Sequence, residues 1–373
     1  MGLTDPLRVV VLGAGANVWP LHEPALNAIG AEVVAVHDVD HAAAQRVADK
    51  LACAAAANLD DLLRTDADLA VVMTPHVHHA ELALACLRAG LHVLVEKPMA
   101  ITAGEADAMV AEAARAGRLL AVVVQQRTRG EVRIAKRLLD AGALGDLQRF
   151  DALATWPRRS TYFRTAPWRA TWAGEGGGIL INQGQHDLDL LCWLAGPPAA
   201  VFARTSSAMH GREVEDTATA LLEWPGGATG TVRLSTAAHD ERQRIEATCT
   251  GGRLRLTPCR LELRRNEVDF RHYAAADGDP YAPPAAGPVE VVPGGGGTHV
   301  DLYRNVARAL AGEEALLSPG HEVAAAVELA NAIVMSAQLR REVRLPLDRE
   351  HYARLLHDLR QPAAATAVHR GGD

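Results

Sequence analysis

The alternation of short β-branched strands with alanine-rich helices over residues 7–125 constrains the fold more than any other feature of this 373-residue chain. Short apolar runs predict buried strands, and apolar residues at helical spacing, ending near glycines, predict the helices between them. Such alternation is typical of an α/β domain with a doubly wound parallel sheet. The predicted strands are 8–12, 32–37, 69–73, 92–96 and 119–124, and the predicted helices are 21–29, 42–51, 80–89 and 103–116.

After Arg127 the pattern changes to short strands separated by turn residues, which predicts an α+β domain with an open, largely antiparallel sheet. We expect two domains, residues 1–126 and 127–360, and a disordered tail over 361–373. Residues 275–298, rich in glycine and proline, predict a surface loop. The predicted strands are 150–155, 201–206, 217–223, 228–236, 244–250 and 253–258; a helix is predicted at 131–141, and helices at 187–194, 300–311 and 322–340 are expected to cover one face of the sheet.

Composition narrows the class of function. The net charge is −7 and no basic stripe is present, which argues against nucleic acid as the ligand. The apolar run 9–12 is too short to span a bilayer and no signal peptide is recognisable, so we expect a cytoplasmic protein with no membrane partner. The five cysteines form no CxxC pair and are expected to be reduced and mostly buried. No metal site is predicted, because the histidines at 76, 78 and 79 have poor spacing for one.

A glycine turn, Gly13-Ala14-Gly15, follows the first strand and precedes the first helix. Glycine permits a tight turn and lets backbone amides, here including those of Ala16 and Asn17, approach a pyrophosphate at a helix N-terminus. Val18 stands where a third glycine is usual, so a plain tight turn is the alternative. The turn predicts a dinucleotide-binding function for the first domain.

Asp38 ends the second predicted strand, 25 positions after Gly13. A carboxylate there can accept hydrogen bonds from both ribose hydroxyls and would repel a 2′-phosphate. No arginine follows within Val39-Asp40-His41, so the sequence favours NAD over NADP. The alternative is an acid that only caps the next helix.

A lysine and a histidine suited to hydride chemistry lie further along the chain. Lys97, in Glu96-Lys97-Pro98, lies at the carboxyl end of a parallel strand, where open sheets bind ligands. His186 has a natural pKa for proton transfer, and the charge of Lys97 would lower it. Asp189 shares a helix face with His186 and is expected to orient it. The alternatives are a surface lysine paired with Glu96 and a structural histidine at a helix start.

Two further segments are candidates for substrate or cofactor contacts. Arg169 and Trp172 lie in an aromatic segment before the glycine triplet at 176–178. Aromatic rings stack on sugar faces and arginine donates to hydroxyls or carboxylates. The alternative is a packed segment or an oligomer contact. Gln126 and Arg127 are further candidates to reach the cofactor or substrate.

Four motifs in this order resemble the Gfo/Idh/MocA family of NAD(P)-dependent oxidoreductases of sugars and cyclitols, which includes relatives of glucose-fructose oxidoreductase and inositol dehydrogenase. The resemblance covers most of the chain and implies an N-terminal Rossmann domain followed by the α+β domain. The motifs are Gly13-Ala14-Gly15, Thr74-Pro75-His76-x-x-His79, Glu96-Lys97-Pro98, and the glycine triplet followed by Asn182, Gly184, His186 and Asp189.

The resemblance also implies roles for these residues. Lys97 would lie beside the nicotinamide and the substrate, often with a cis bond to Pro98, and His186 would be the general acid/base. Asn182 would position the substrate, although many members carry aspartate there. The glycine turn is one residue longer than usual before His22. The residues expected to border the cofactor are Thr74, Pro75, His76, His79, Glu96, Lys97 and Gln126.

These observations predict an NAD-dependent oxidoreductase that transfers a hydride between a secondary hydroxyl of a sugar or cyclitol and nicotinamide. One alternative is a redox-neutral enzyme that retains NAD and cleaves or epimerises a sugar through a keto intermediate. Another is a non-enzymatic NAD-binding regulator. The open sheet face predicts a homodimer or homotetramer.

Overall fold

A six-stranded parallel sheet forms the N-terminal part of the chain, in a computed structural model that describes residues 6–207 and 209–361. Its strands are β1 (Arg8–Leu12), β2 (Glu32–His37), β3 (Ala54–Ala55), β4 (Leu69–Val72), β5 (His92–Val95) and β6 (Leu120–Val122). They lie in the order β3-β2-β1-β4-β5-β6, so the strand order reverses between β1 and β4. Ligands of such sheets bind at the carboxyl ends of the strands, beside this reversal.

Helices connect these strands, and their ends are specified by local side chains. Asp40 caps the second helix by accepting from the backbone of Ala42 and Ala43, and Thr102 and Glu105 form a capping box at the fifth. Gly117 ends that fifth helix with φ +62°, a conformation that favours glycine. The helices are α1 (Trp19–Ala28), α2 (His41–Leu51), α3 (Leu59–Leu63), α4 (His79–Arg88) and α5 (Ala103–Ala116).

A nine-stranded sheet forms the second part, and only its β7/β10 pair is parallel among the described residues. The order is β14-β13-β12-β11-β7-β10-β9-β8-β15. The predicted α/β plus α+β fold class is therefore confirmed. The strands are β7 (Leu147–Thr155), β8 (Ala200–Ser206), β9 (Thr217–Glu223), β10 (Thr229–Ser235), β11 (Gln243–Cys249), β12 (Gly252–Thr257), β13 (Arg260–Arg265), β14 (Glu290–Pro293) and β15 (Val343–Arg344).

Six helices follow β6 along the chain in the described residues: α6 (Gly130–Asp140), α7 (Gln185–Ala195), α8 (Phe270–Ala275), α9 (His299–Leu310), α10 (Gly320–Leu339) and α11 (Arg349–Arg360). α10 packs on β8, α7 on β7, and α6 on β12 and β13. On the other face, alternate side chains of β8 and β9 are exposed among the described residues, including the cross-strand pair Phe202 and Leu221.

α10 is embedded in both cores. Val323 and Val327 pack in the core of the first sheet, whereas Ala330 and Ile333 pack in the core of the second. Full burial of an aliphatic side chain stabilises the fold by roughly 1.5–3 kcal/mol. α10 is also the one described helix long and apolar enough to cross a membrane, but 61% of that stretch is buried inside the protein, as in a core helix.

Several expectations from the sequence are corrected. The helix predicted at 300–311, α9, does not cover the second sheet; it packs on α1, because Leu302, Tyr303 and Val306 join the core of the first sheet. The predicted loop 275–298 contains β14, which pairs with the unpredicted strand β13. α11 was also not predicted. The boundary at 126/127 stays a prediction, and the tail 361–373 lies, apart from Gln361, outside the described residues.

The five cysteines are free; Cys86, Cys192 and Cys249 are buried, Cys53 is half-buried and Cys259 is exposed.

Candidate functional site

A cleft of about 890 Å³ lies between the carboxyl edge of the first sheet and the segments that follow β7. Most of the residues singled out from the sequence line it, although they come from both parts of the chain. They are Gly15, Asn17, Thr74, Pro75, His76, His79, Glu96, Lys97, Gln126, Arg169, Asn182 and His186.

The glycine turn lies where β1 approaches β4. Gly13 has φ +99°, and a Cβ there would lie 2.9 Å from the backbone of Met73, so any other residue would displace the chain just after β4. Asp38 accepts hydrogen bonds from the amide of Ala14 at 2.7 Å and from the amide of Asp40 at 2.8 Å. The carboxylate is therefore fixed beside the turn, at the end of β2, while Ala16 is exposed in the same turn. This geometry fits the adenosine ribose and the pyrophosphate of a dinucleotide.

Two further turns, which contain Thr74 and Pro98, border the cleft, and the side chain of His79 joins them. Its Nε2 lies 2.7 Å from the carbonyl oxygen of Thr74 and its Nδ1 lies 2.7 Å from that of Pro98, whose peptide bond to Lys97 is cis. Thr74 Oγ1 and His76 Nδ1 are buried without a hydrogen-bond partner among the described residues. Unsatisfied buried polar atoms are costly, so these two atoms fit a bound cofactor.

Glu96 is held by histidines that the sequence analysis did not connect to it. Its carboxylate lies 3.0 Å from His22 Nε2 and 3.6 Å from His299 Nε2, and it accepts from the amide of Lys97 at 3.0 Å. Burial favours the neutral acid, but the contacts with the two histidines and the charge of Lys97 together outweigh burial and hold the pKa of Glu96 well below its usual range. Tyr303, in contact with His22 Nδ1 at 2.7 Å, completes this buried cluster. This cluster fixes the end of β5, where Lys97 lies.

The ammonium of Lys97 points to Asn182. Its Nζ donates to the backbone oxygen of Asn182 at 3.1 Å and to Oδ1 at 3.2 Å. Asn182 Nδ2 in turn donates to the buried Glu175, which the sequence analysis did not single out. Burial lowers the pKa of Lys97, and burial raises that of Glu175. A lysine ammonium has three donors, so one remains for a ligand in the cleft.

His186 is the second residue of α7 and lines the same cleft. Burial, followed by the charge of Lys97, lowers the pKa of His186 to about 3, so the imidazole is neutral near pH 7. Its Nδ1 is buried and has no hydrogen-bond partner in the described residues. The approach to α7 is tightly packed, since a Cβ on Gly178 would lie 1.9 Å from the backbone oxygen of Glu215.

Tyr162 organises the far side of the cleft. Its hydroxyl oxygen accepts from Arg169 at 2.8 Å, from Gln183 at 3.0 Å and from Asn182 at 3.1 Å. A hydroxyl oxygen has two lone pairs, so these three N–H groups share them, and the hydroxyl hydrogen is left to point toward a ligand. The aromatic segment that contains Arg169 and Trp172 therefore contributes to the cleft mainly through Arg169 and Tyr162.

Trp172 and Asp189 lie elsewhere than expected. Trp172 is buried in the core of the second part, where its Nε1 donates to the backbone oxygen of Glu213, so it does not line the cleft. Asp189 does not orient His186, because both of its carboxylate oxygens accept from the guanidinium of Arg127, at 2.7 and 2.9 Å. Arg127 is itself fully buried and does not reach the cleft.

Gln126 does line the cleft, but its side-chain oxygen is already bonded. It accepts from Gln243 at 2.9 Å and from Arg129 at 3.3 Å. Gln243 also donates to the buried Asp187, the neighbour of His186. Gln126 thus connects the first sheet to α7 through β11.

Comparison with known proteins agrees with this geometry. Residues 7–124 match the family model described as an oxidoreductase family with an NAD-binding Rossmann fold, and residues 132–255 match the GFO/IDH/MocA C-terminal domain. The chain is 32% identical, over 63% of its length and 70% of the relative's, to a putative UDP-kanosamine synthase oxidoreductase subunit of Amycolatopsis mediterranei. It is 32% identical to a bovine trans-1,2-dihydrobenzene-1,2-diol dehydrogenase, over 46% of this chain and 50% of that one.

A solved structure with the same architecture is that of the WlbA dehydrogenase from Bordetella pertussis, in complex with NADH and UDP-GlcNAcA. The match has a TM-score of 0.77 and 28% identity, and covers 92% of this chain and 99% of the other. The resemblance noted in the sequence is confirmed at both the sequence and the fold level: the chain belongs to the Gfo/Idh/MocA family of NAD-binding oxidoreductases.

Proposed function

We propose that this protein is an NAD-dependent dehydrogenase that oxidises a secondary hydroxyl of a sugar or cyclitol. The observation that supports this most directly is the meeting of Lys97 and His186, from the two parts of the chain, in one cleft. Bound NAD would supply the hydride acceptor. Its preference over NADP rests on Asp38, whose carboxylate lies beside the glycine turn.

The protein's own groups would handle the proton. The remaining N–H of Lys97 donates to the substrate oxygen and stabilises negative charge that develops there. Neutral His186 accepts the hydroxyl proton and returns it in the reverse direction. Asn182 holds the ammonium in place and, with Tyr162, orients the substrate.

The test is Lys97→Met in the 373-residue chain. NAD binding, measured by calorimetry, is expected to stay within a few-fold of wild type, while turnover measured by NADH absorbance falls by roughly 10²–10⁴, the range typical of acid/base groups. Lys50→Met is the matched control, because this lysine lies on α2 and its side chain is 63% exposed. Normal turnover in Lys97→Met would refute the assigned role.

The same site also fits a redox-neutral reaction in which NAD is retained. The two reactions differ in their need for free cofactor. A preparation that converts its substrate without added NAD, and accumulates no NADH, would favour the redox-neutral reaction.

We further propose that the open face of the second sheet forms a homo-oligomer contact. Phe202 and Leu221 are 39% and 57% exposed there and form a cross-strand pair. Leu221→Glu is expected to reduce the mass found by light scattering if this face is the interface. The cytoplasmic location likewise remains a prediction.

A further inference from the structure

The cleft is much more cationic than the chain that forms it. The chain has a net charge of −7, yet two carboxylates and five cationic side chains line the cleft among the described residues. Both carboxylates are engaged: Glu96 by its histidines, and Glu131 by Arg129 Nε at 2.7 Å and the amide of Gly295. The five cationic side chains are Lys97, Arg129, Arg158, Arg169 and Arg242. The cleft therefore has an excess of positive charge.

Arg169 is fixed in place but incompletely bonded. Its guanidinium lies 4.5 Å from the ring centre of Trp168 and 4.7 Å from that of Tyr162, and its side chain is 13% exposed. Its Nε is buried without a hydrogen-bond partner among the described residues. The nearest paired carboxylate oxygen, on Glu175, is 4.0 Å from Nη1. A buried N–H without an acceptor is costly, so this site is suited to a ligand that supplies one.

Arg158 and Arg242 add two charges at the same wall. Neither forms an ion pair with a described residue; Arg158 lies over the ring of Tyr162 at 5.1 Å and Arg242 over the ring of Trp156 at 5.7 Å. The charges of Arg158 and Arg169 reach Lys97, since both contribute to lowering its pKa. Arg158 and Arg169 thus lie within electrostatic range of the Lys97 ammonium.

We propose that Arg158, Arg169 and Arg242 form an anion subsite that binds a carboxylate or phosphate group of the substrate. Guanidinium groups recognise both anions through paired N–H donors. A dinucleotide's pyrophosphate already has its place at the glycine turn after β1, so it does not account for these arginines. The assignment of this anion to the substrate rests on the proposed function. The binding of an anion by these arginines does not.

The experiment measures binding rather than turnover. Glucuronate, glucose 1-phosphate and UDP-glucose are titrated, each against glucose, into the NAD-loaded protein by calorimetry. At least one anion is expected to bind at least about tenfold more tightly than glucose, an effect that weakens as salt is added. The three arms separate a carboxylate, a phosphate and a nucleotide diphosphate as the source of the anionic group.

Variants then locate the subsite. Arg158→Gln/Arg242→Gln and, separately, Arg169→Gln are each expected to weaken anion binding at least about tenfold, since a charge-assisted hydrogen bond is lost. Arg344→Gln is the control, because that side chain is 81% exposed on β15. The proposal is overturned if no anion binds more tightly than glucose, or if the preference survives in both variants. Tight anion binding with no NADH formed from any sugar or cyclitol would instead refute the proposed function.

Discussion

Asn182 joins the ammonium of Lys97 to the carboxylate of Glu175: its Oδ1 accepts from Lys97 at 3.2 Å and its Nδ2 donates to Glu175 at 2.5 Å. The carboxylate of Glu175 therefore acts on Lys97 through Asn182, from further away than an aspartate at 182 would, and in addition to the nearer charge of Glu96. This arrangement explains how an amide can occupy the position without leaving Lys97 isolated.

A charge exchange between these two positions tests this relation. Asn182→Asp alone places two carboxylates in contact, which raises one pKa strongly and is expected to lower kcat/KM at pH 7 by about tenfold or more. Asn182→Asp/Glu175→Gln restores a single carboxylate and is expected to recover to within a few-fold of wild type. Steady-state NADH formation measures both. A double variant no better than Asn182→Asp would show that Glu175 does not act in this way.

The pH profile of substrate oxidation should lack an acidic limb near neutrality. Burial and Lys97 lower the pKa of His186 to about 3, so the base is already neutral above about pH 5. Burial lowers the pKa of Lys97, so its charge is lost as the pH rises through a value below its usual 10.5. The expected kcat/KM is flat from pH 5 to 7 and falls at alkaline pH. A rise with a midpoint near pH 6–7 would instead show that the pKa of His186 is not lowered in the working enzyme.

The buried pair of Arg127 and Asp189 is predicted to be a stability determinant. Arg127→Met leaves the buried Asp189 carboxylate unpaired and is expected to cost about 3–5 kcal/mol in the free energy of unfolding. Arg127→Met/Asp189→Leu removes both charges and is expected to regain most of that loss. Urea denaturation measures these changes.

Glu322 provides the control for that measurement. It also pairs with Arg127, at 2.6 Å, but its side chain is 43% exposed, so Glu322→Gln is expected to cost less than about 1 kcal/mol. Equal losses in Glu322→Gln and Arg127→Met would show that burial of the pair is not the cause.

Asp38 is predicted to determine the choice of cofactor. Asp38→Asn keeps an oxygen for the amide of Ala14 but removes the charge that would repel a 2′-phosphate. The ratio of kcat/KM for NAD to that for NADP is expected to fall by about tenfold or more. Steady-state kinetics with each cofactor measure the ratio, and an unchanged ratio would assign Asp38 a purely structural role at the turn.

The sequence predicted the parts of this protein that depend on local pattern. β1 and β2 follow from buried β-branched runs, and the turns that bear Gly13, Thr74 and Lys97 follow from motifs read at strand ends. Parallel strands bring such ends to one edge, which is why most of the predicted residues share the cleft.

The partners of those residues could not be read from the sequence. Arg127 and Asp189 are 62 positions apart, and His22 and Glu96 are 74 apart, so their pairing depends on tertiary packing. β13 was missed although its leucines alternate with charged residues as those of the predicted strand β12 do, so the local pattern alone would have supported it. Trp172 was misplaced because an aromatic ring that packs in a core has the same local signature as one that stacks on a sugar.

The long helix α10 has a consequence for how ligands enter. Because α10 packs in both cores, we expect little hinge rotation between the two parts of the chain. The width of the cleft is then set when the chain folds. The choice of sugar is then expected to depend on the side chains of the 156–169 segment that line the cleft. Divergence in that short stretch can change which molecules are accepted while the hydride-transfer apparatus stays the same.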